Sequence, residues 1–387
     1  MSAPAFSRAV PCRLRRWWWL GFGLLVLAVT GCSSVGYYRQ AAAGQMEIWR
    51  RRENITAVLE RTNTPATLRS QLELVLRLRE FAEHELHLET DGHYAKYADL
   101  GRRFVVWNVY AAPEFSLRPH QWWYPVVGSL KYRGFFSEAE ARACAERMAR
   151  EGWDVYVGGV EAYSTLGFFR DPVLNTFVHH PAPDLAETLF HELAHQRVFV
   201  SGDTDFNEAF ATVAGMEGAR RWIARHGDAA MRQEYERTIR REEQFVALVM
   251  AARAELKRVY GEPTLDDNNG GQKKPAPAIP PAEAAAWRER KEAVLIRLRQ
   301  DYEKLKADWG GHGGYDKWFA RPINNARLNT IATYFTLVPA FRALLAEHGG
   351  DLEKFYTAVE QLSELPKKER HRRLALLTSQ GTETARP

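Results

Sequence analysis

Two histidines and a glutamate stand at metalloenzyme spacing in "TLFHELAHQRVFVSGDTDFNEAFATVAG", residues 188–215. His191 and His195 are four residues apart, with Glu192 directly after the first. On a helix, positions i and i+4 lie one turn apart on one face, so both imidazoles can reach a single ion. Catalytic zinc takes three protein ligands and keeps a fourth position for water. Glu192 would then take a proton from the metal-bound water, while Leu193 and Ala194 turn inward and seat the helix. An accidental H-E-x-x-H arises in on the order of a few chains per hundred of this size and composition. The surrounding helix and a third ligand must therefore decide the matter.

The helix has start and stop signals. Asp184 followed by Glu187 reads as a capping box, and Gly202-Asp203 supplies a stop after Val200, so the spacing predicts a helix over 184–200. Two acids compete for the third ligand position. Twelve residues separate His195 from Glu208, which demands a tight inter-helix connection, and Glu217 lies nine beyond Glu208. Asp205–Glu208 can also be read as a second capping box, and a glutamate turned back to its own N-cap cannot bind metal. The metzincin pattern is excluded, because Val198 and Ser201 stand where it requires glycine and histidine.

The elements that must hold these residues differ along the chain. Residues 37–88 are helical in period and predict two long helices. Between 103 and 165 the runs "RFVVWNVYAA", "YPVVGSLKYRGFF" and "DVYVGGVEAYSTL" are β-branched and aromatic, with one helix before the last. They predict a small sheet leading into the motif, and "GGVEAYSTLGFFRDPVLNTFVHH" (158–180) reads as an extended strand over the active helix, with His179 and His180 as loop residues. Helices follow to about 225, to about 259, over 281–307 and over 325–348. The Pro-, Gly- and Asn-rich segment 261–283 reads as a flexible insertion between two of them. The fold class expected is α+β, mostly helical, with a small β-sheet preceding the active-site helix.

"NEAFA" resembles the N-E-G-F-A stretch of thermolysin-like aminopeptidases, in which the glutamate binds zinc from a second, antiparallel helix. On that match Glu208 is the third ligand, although the twelve-residue separation is shorter than is usual there. Glu161 falls where the Gly-x-Met-Glu-Asn element of one aminopeptidase group holds the glutamate that grips the substrate's free amine; the Met and Asn are missing. With "YSTLGFFRDP", H-E-L-A-H, "NEAFA" and the late "NNARLNTIATYFTLVPAF" (324–341), most of the chain resembles a bacterial family of zinc aminopeptidases. The resemblance implies a zincin-like metallopeptidase with one zinc ion on His191, His195 and Glu208, and Glu192 as general base. In the late block Asn325 suits a helix N-cap. Tyr334 is the candidate donor to the oxyanion of the tetrahedral intermediate, with Arg327 and Tyr315 behind it.

The N-terminus bears on location. Arg8, Arg13, Arg15 and Arg16 precede the apolar run Trp17–Val29, which is short for a permanent membrane span and reads as an export signal. Val29-Thr30-Gly31-Cys32 resembles the bacterial lipobox, which implies a signal peptide over 1–31, a lipid on Cys32, and a peptidase body, 32–387, on the periplasmic side of the envelope. Ser33 favours the outer membrane. Residues 32–387 carry 49 Lys and Arg against 48 Asp and Glu, so there is no electrostatic case for nucleic acid. Of the three cysteines, only Cys144 is left once Cys12 goes with the signal and Cys32 is lipidated, so no intramolecular disulfide can form.

Peptide is thus the expected substrate. A metal-dependent hydrolase of cell-wall material would use the same ligands with a longer groove. A helical envelope scaffold would carry no stoichiometric zinc. The tryptophan-rich "PHQWWYPVV" (119–127) reads as aromatic core rather than a partner surface.

Overall fold

The computed structural model describes residues 35–125, 127–165, 169–262 and 280–384. The export signal and Cys32 lie outside the described residues, as do 263–279 of the expected insertion. The chain divides into two units, Met1–Trp49 and Arg50–Pro387. In the first, the described residues belong to helix α1, residues 35–51.

The expected pair of long helices is present as α1 and α3 (Ala66–Glu85), with two unexpected short elements between them in the chain. In the second unit, strand β1 (Arg52–Asn54) and a short α2 (Ile55–Glu60) precede α3. Pro65, which cannot continue a preceding helix, stands at the N-cap of α3. Then come β2 (Lys96–Ala98), β3 (Val106–Pro113), the hairpin β4 (Trp122–Tyr124) and β5 (Gly128–Leu130), β6 (Arg133–Phe135), α4 (Glu138–Arg150), β7 (Trp153–Val160) and β8 (Val173–Leu174). The strands form three small sheets. The largest pairs β3 antiparallel to β7 over its whole length, from Val106↔Val160 to Pro113↔Trp153, with β6 on the other edge. In the sheet of β1, β2 and β8, β2 runs antiparallel to β1 and parallel to β8.

Helices then dominate: α5 (Ala182–Arg197), α6 (Thr204–His226), α7 (Ala229–Tyr260), α8 (Pro281–Asp308), α9 (Asp316–Phe319), α10 (Asn325–Phe335), α11 (Val338–Glu347), α12 (Leu352–Ser363) and α13 (Lys367–Thr384). The single helix expected over 325–348 is broken at Thr336-Leu337. Pro339 lacks the N–H that would bond the carbonyl of Phe335, so the helix restarts one turn on. The unit is mostly helical with small sheets, which is the α+β class expected.

Two positions shift by a residue or two for identifiable reasons. α5 starts at Ala182 rather than after an Asp184 cap, with Pro183 in its first turn, where a missing N–H costs nothing. Glu187 closes no capping box; its Oε2 accepts a hydrogen bond from the Tyr235 hydroxyl at 2.7 Å. At α10 the cap is Asn324, whose Oδ1 accepts from the Arg327 amide at 3.0 Å. Asn325 is fully buried and donates to the carbonyls of Pro113, Glu114 and Ser116 at 2.9–3.1 Å, tying α10 to the end of β3.

The expected strand over 158–180 is also shorter. β7 stops at Val160, and β8 belongs to a different sheet. Between them the Asp171 carboxylate accepts from the Thr165 amide at 2.9 Å, the Thr165 hydroxyl at 2.7 Å and the Ser164 hydroxyl at 3.2 Å. Such local side-chain bonds offer the backbone an alternative to a ladder.

Candidate metal centre

α5 and α6 form an antiparallel helical hairpin: Glu208, early in α6, faces His191 and His195, while Gly215, two turns on, meets Glu187 and His191. The close approach requires glycine at 215. A Cβ there would lie 2.8 Å from the Glu187 carbonyl oxygen and 3.1 Å from the His191 Cβ. Behind α6, Phe206 and Phe210 pack on Phe341, and Phe210 also packs on Phe355 and Tyr356.

The connection, 198–203, is as tight as the spacing demands. Asn207 closes it: Oδ1 accepts from the Val200 amide at 2.8 Å and Nδ2 donates to the Val200 carbonyl at 2.9 Å. The β4–β5 hairpin supports it, the Gly202 amide donating to the Val127 carbonyl at 3.1 Å. Gly128 sits at φ +78°, and a Cβ on it would strike Ser201 Oγ at 2.7 Å, so both backbone sign and space call for glycine. Asp203, 1% exposed, is bound by α13: His371 Nε2 lies 2.9 Å from both carboxylate oxygens, Lys367 Nζ 3.2 Å from one, and Arg370 Nη1 bonds the other.

No capping box forms at Glu208. Asp203 is the N-cap and makes no side-chain cap bond, and the Asp205 carboxylate is held by Lys131 Nζ at 2.6 Å to each oxygen. Glu208 therefore points at the histidines. Its Oε2 lies 3.5 Å from His191 Nε2 and 3.8 Å from His195 Nε2, and one donor atom from each residue falls within 4.8 Å of the other two. The imidazole planes are nearly perpendicular, at 86°. Glu217 is occupied elsewhere, by Arg220 at 3.0 Å and Arg221 at 2.8 Å.

The electrostatics suit a cation. Burial opposes the Glu208 charge, but the bond from His191 and the electrostatic attraction to both imidazoles outweigh it and hold its pKa below the ordinary value. Burial pushes His195 down to about 4, so it is neutral at physiological pH, as a ligand must be. Its Nδ1 is buried without a hydrogen-bond partner. Burial works to lower His191, but Glu208, Glu192 and Glu187 together raise it. Burial, reinforced by Glu208 and Asp171 against His191, lifts Glu192 to about 7.

Tyrosines that feel the Glu208 charge come from distant parts of the chain. Tyr334 on α10 is held well above the ordinary phenol value first by Glu208 and then by burial. Tyr110 on β3 and Tyr132, just before β6, are raised chiefly by burial, with Glu208 contributing to both. Their grouping was not legible in the sequence, because only the packing of the sheet on α10 brings Tyr110, Tyr132 and Ala326 together; β-alternation alone groups Tyr110 with Asn108. The reserve oxyanion candidates are committed to packing. Arg327, 1% exposed, stacks its guanidinium over Trp318 at 4.6 Å and Tyr156 at 5.2 Å. Tyr315 stacks on Phe245 with centroids 3.9 Å apart. Glu161, one-third exposed, pairs its Oε2 with His180 Nε2 at 3.0 Å.

The chain belongs to the family described as "Putative aminopeptidase", whose model matches residues 36–374. No protein of curated function and no solved structure matches it.

Proposed function

We propose that this protein is a zinc-dependent peptidase of the zincin type that removes N-terminal residues from peptides, held at the bacterial envelope by lipid on Cys32 with its body in the periplasm. The observation that carries the reading is the convergence of His191, His195 and Glu208. Tetrahedral zinc with bonds of about 2.0–2.1 Å sets its ligand atoms roughly 3.3–3.5 Å apart, and the two His–Glu separations of 3.5 and 3.8 Å fit that set with little adjustment. Two neutral nitrogens and one carboxylate form a donor set that zinc accepts with a position to spare. The periplasmic site and the lipid rest on the export signal and lipobox alone.

When bound, the ion supplies Lewis acidity to water and to the scissile carbonyl. Glu192, one residue from a ligand and with an elevated proton affinity, accepts a proton from the attacking water and returns it to the leaving amine. Tyr334, kept protonated by the neighbouring Glu208 charge, donates to the oxygen on which negative charge develops. Glu161 stands beyond the end of β7 as the acid for the substrate's free amine, with His180 as its present partner.

The test uses the body from Ser33 onward and its Glu192→Gln variant. Zinc per chain is measured by elemental analysis and products from a mixed peptide library by mass spectrometry. One zinc in both proteins, with N-terminal trimming by the parent alone, is the expected result. Internal cuts would remove the exopeptidase assignment, cleavage of cell-wall fragments alone would move the substrate class, and absence of zinc would overturn the whole reading.

A further inference from the structure

Five polar side chains meet in the core, and none of them is a donor of the metal centre. Lys131, Asp205 in the first turn of α6, Arg253 on α7, and Asn329 and Thr333 on α10 are each more than nine-tenths buried. With Pro119, Ala332 and Thr336 they line a cavity that has room for about one water-sized body. Polar groups taken out of water cost stability unless their hydrogen bonds are made.

Most of those bonds are made within the cluster. Lys131 Nζ lies 2.6 Å from both carboxylate oxygens of Asp205, which engages at most two of its three protons. Thr333 and Thr336 spend their hydroxyl protons on the carbonyls of Asn329 and Ala332, at 3.0 and 2.6 Å. Arg253 Nη2 donates to Asn329 Oδ1 at 2.8 Å. A guanidinium only donates, so this bond fixes which arm of the amide is the oxygen. The other arm, Nδ2, is buried with no hydrogen-bond partner.

The lining therefore offers a spare amide donor and at least one ammonium proton. Beside them stand two cations and a single carboxylate, whose oxygens are already engaged. A water would satisfy the amide but gain little from the charges. A monatomic anion gains from both, and in a site of low dielectric that attraction offsets its lost hydration. Polyatomic anions are too large for the space.

We propose that this cavity is a binding site for a halide, chloride in the cell, held by Asn329 Nδ2, Lys131 and Arg253. The ion joins α6, α7 and α10, the first and last of which carry Glu208 and Tyr334. The site goes beyond the peptidase reading and stands whether or not the metal centre is occupied.

Thermal melts in sodium chloride, sodium bromide and sodium gluconate at equal ionic strength test it, since general screening then cancels. Both halides should raise the melting temperature saturably, by about 2 °C over gluconate at roughly ten times the half-saturating concentration. Asn329→Asp keeps the oxygen that Arg253 bonds and replaces the spare donor with a second, charged oxygen, so the halide-specific rise should vanish. Should that variant fail to fold, the anomalous signal of bromide soaked into crystals of the parent decides: a peak in contact with Asn329 Nδ2 and Lys131 Nζ is expected. Equal melting in the three salts, a rise that never saturates, a halide effect retained in Asn329→Asp, or bromide bound only elsewhere with water in the cavity would each overturn the proposal.

Discussion

Glu208 meets His191 at 3.5 Å across two helices that are joined by only six residues, 198–203. So short a connection fixes the relative slide of α5 and α6. Asn207, adjacent to Glu208, locks it by bonding both backbone groups of Val200.

The neighbours of the two acids favour Glu208 over Glu217 as the ligand, and substitution should show it. Glu208→Gln is expected to weaken zinc binding by at least about 100-fold, beyond the 10–100-fold typical for loss of a supporting residue. Glu217→Gln, which disturbs only Arg220 and Arg221, should leave affinity unchanged. Competition with a chromophoric chelator measures both.

Gly215→Ala should separate the helices. The added methyl meets the Glu187 carbonyl and the His191 backbone, and overpacking of this kind costs about 1–3 kcal/mol. Urea unfolding should show that loss, and chelator competition should show weaker zinc binding in the folded fraction. Full affinity at unchanged stability would mean that the hairpin is looser than its geometry.

Asp203 gives a prediction with a pH signature. Burial opposes its charge, but His371, Lys367 and Arg370 hold its pKa below the ordinary carboxylate value. Its stabilisation is therefore complete above the unfolded value of about 3.9 and is lost as pH falls through the folded value. Asp203→Asn should destabilise by on the order of 2 kcal/mol at pH 7, and the gap from the parent should narrow as pH falls below about 4. Thermal melts from pH 3 to 7 measure it; a gap of constant size across that range would show that charge is not the cause.

Tyr334→Phe should lower kcat by about 100-fold while leaving KM and zinc content in place, as expected when one donor to a developing oxyanion is removed. A change in KM alone would make Tyr334 a wall of the substrate cleft instead.

The parts of this site that were legible in the sequence are those set by local geometry. His191, Glu192 and His195 could be placed on one helix because i and i+4 share a face, and Glu208 because "NEAFA" opens the next helix. Caps misled in two places for the same reason: several residues at a helix start can cap, and tertiary bonds choose among them. Tyr235 draws Glu187 away from its expected box, and β3 draws in Asn325 so that Asn324 caps instead. The tyrosines at 110 and 132 arrive from sheet and loop segments far from the motif, where no spacing rule reaches. The Asp203 cluster joins residues about 165 positions apart, and a lone aspartate before a helix reads as a cap until α13 is docked on it.

The glycine contact between α5 and α6 has a thermodynamic corollary. Backbone-to-backbone packing gathers the three donor atoms within 4.8 Å, so a zinc ion would have no chain to organise on arrival. Domains that fold only on their metal bury surface as it binds and show a large negative heat-capacity change. Here calorimetry of zinc binding should give a heat-capacity change near zero, and stripping by a chelator should leave a folded, inactive protein that recovers on re-addition. Metal supply would then act on this molecule as a throttle, reversible and independent of synthesis.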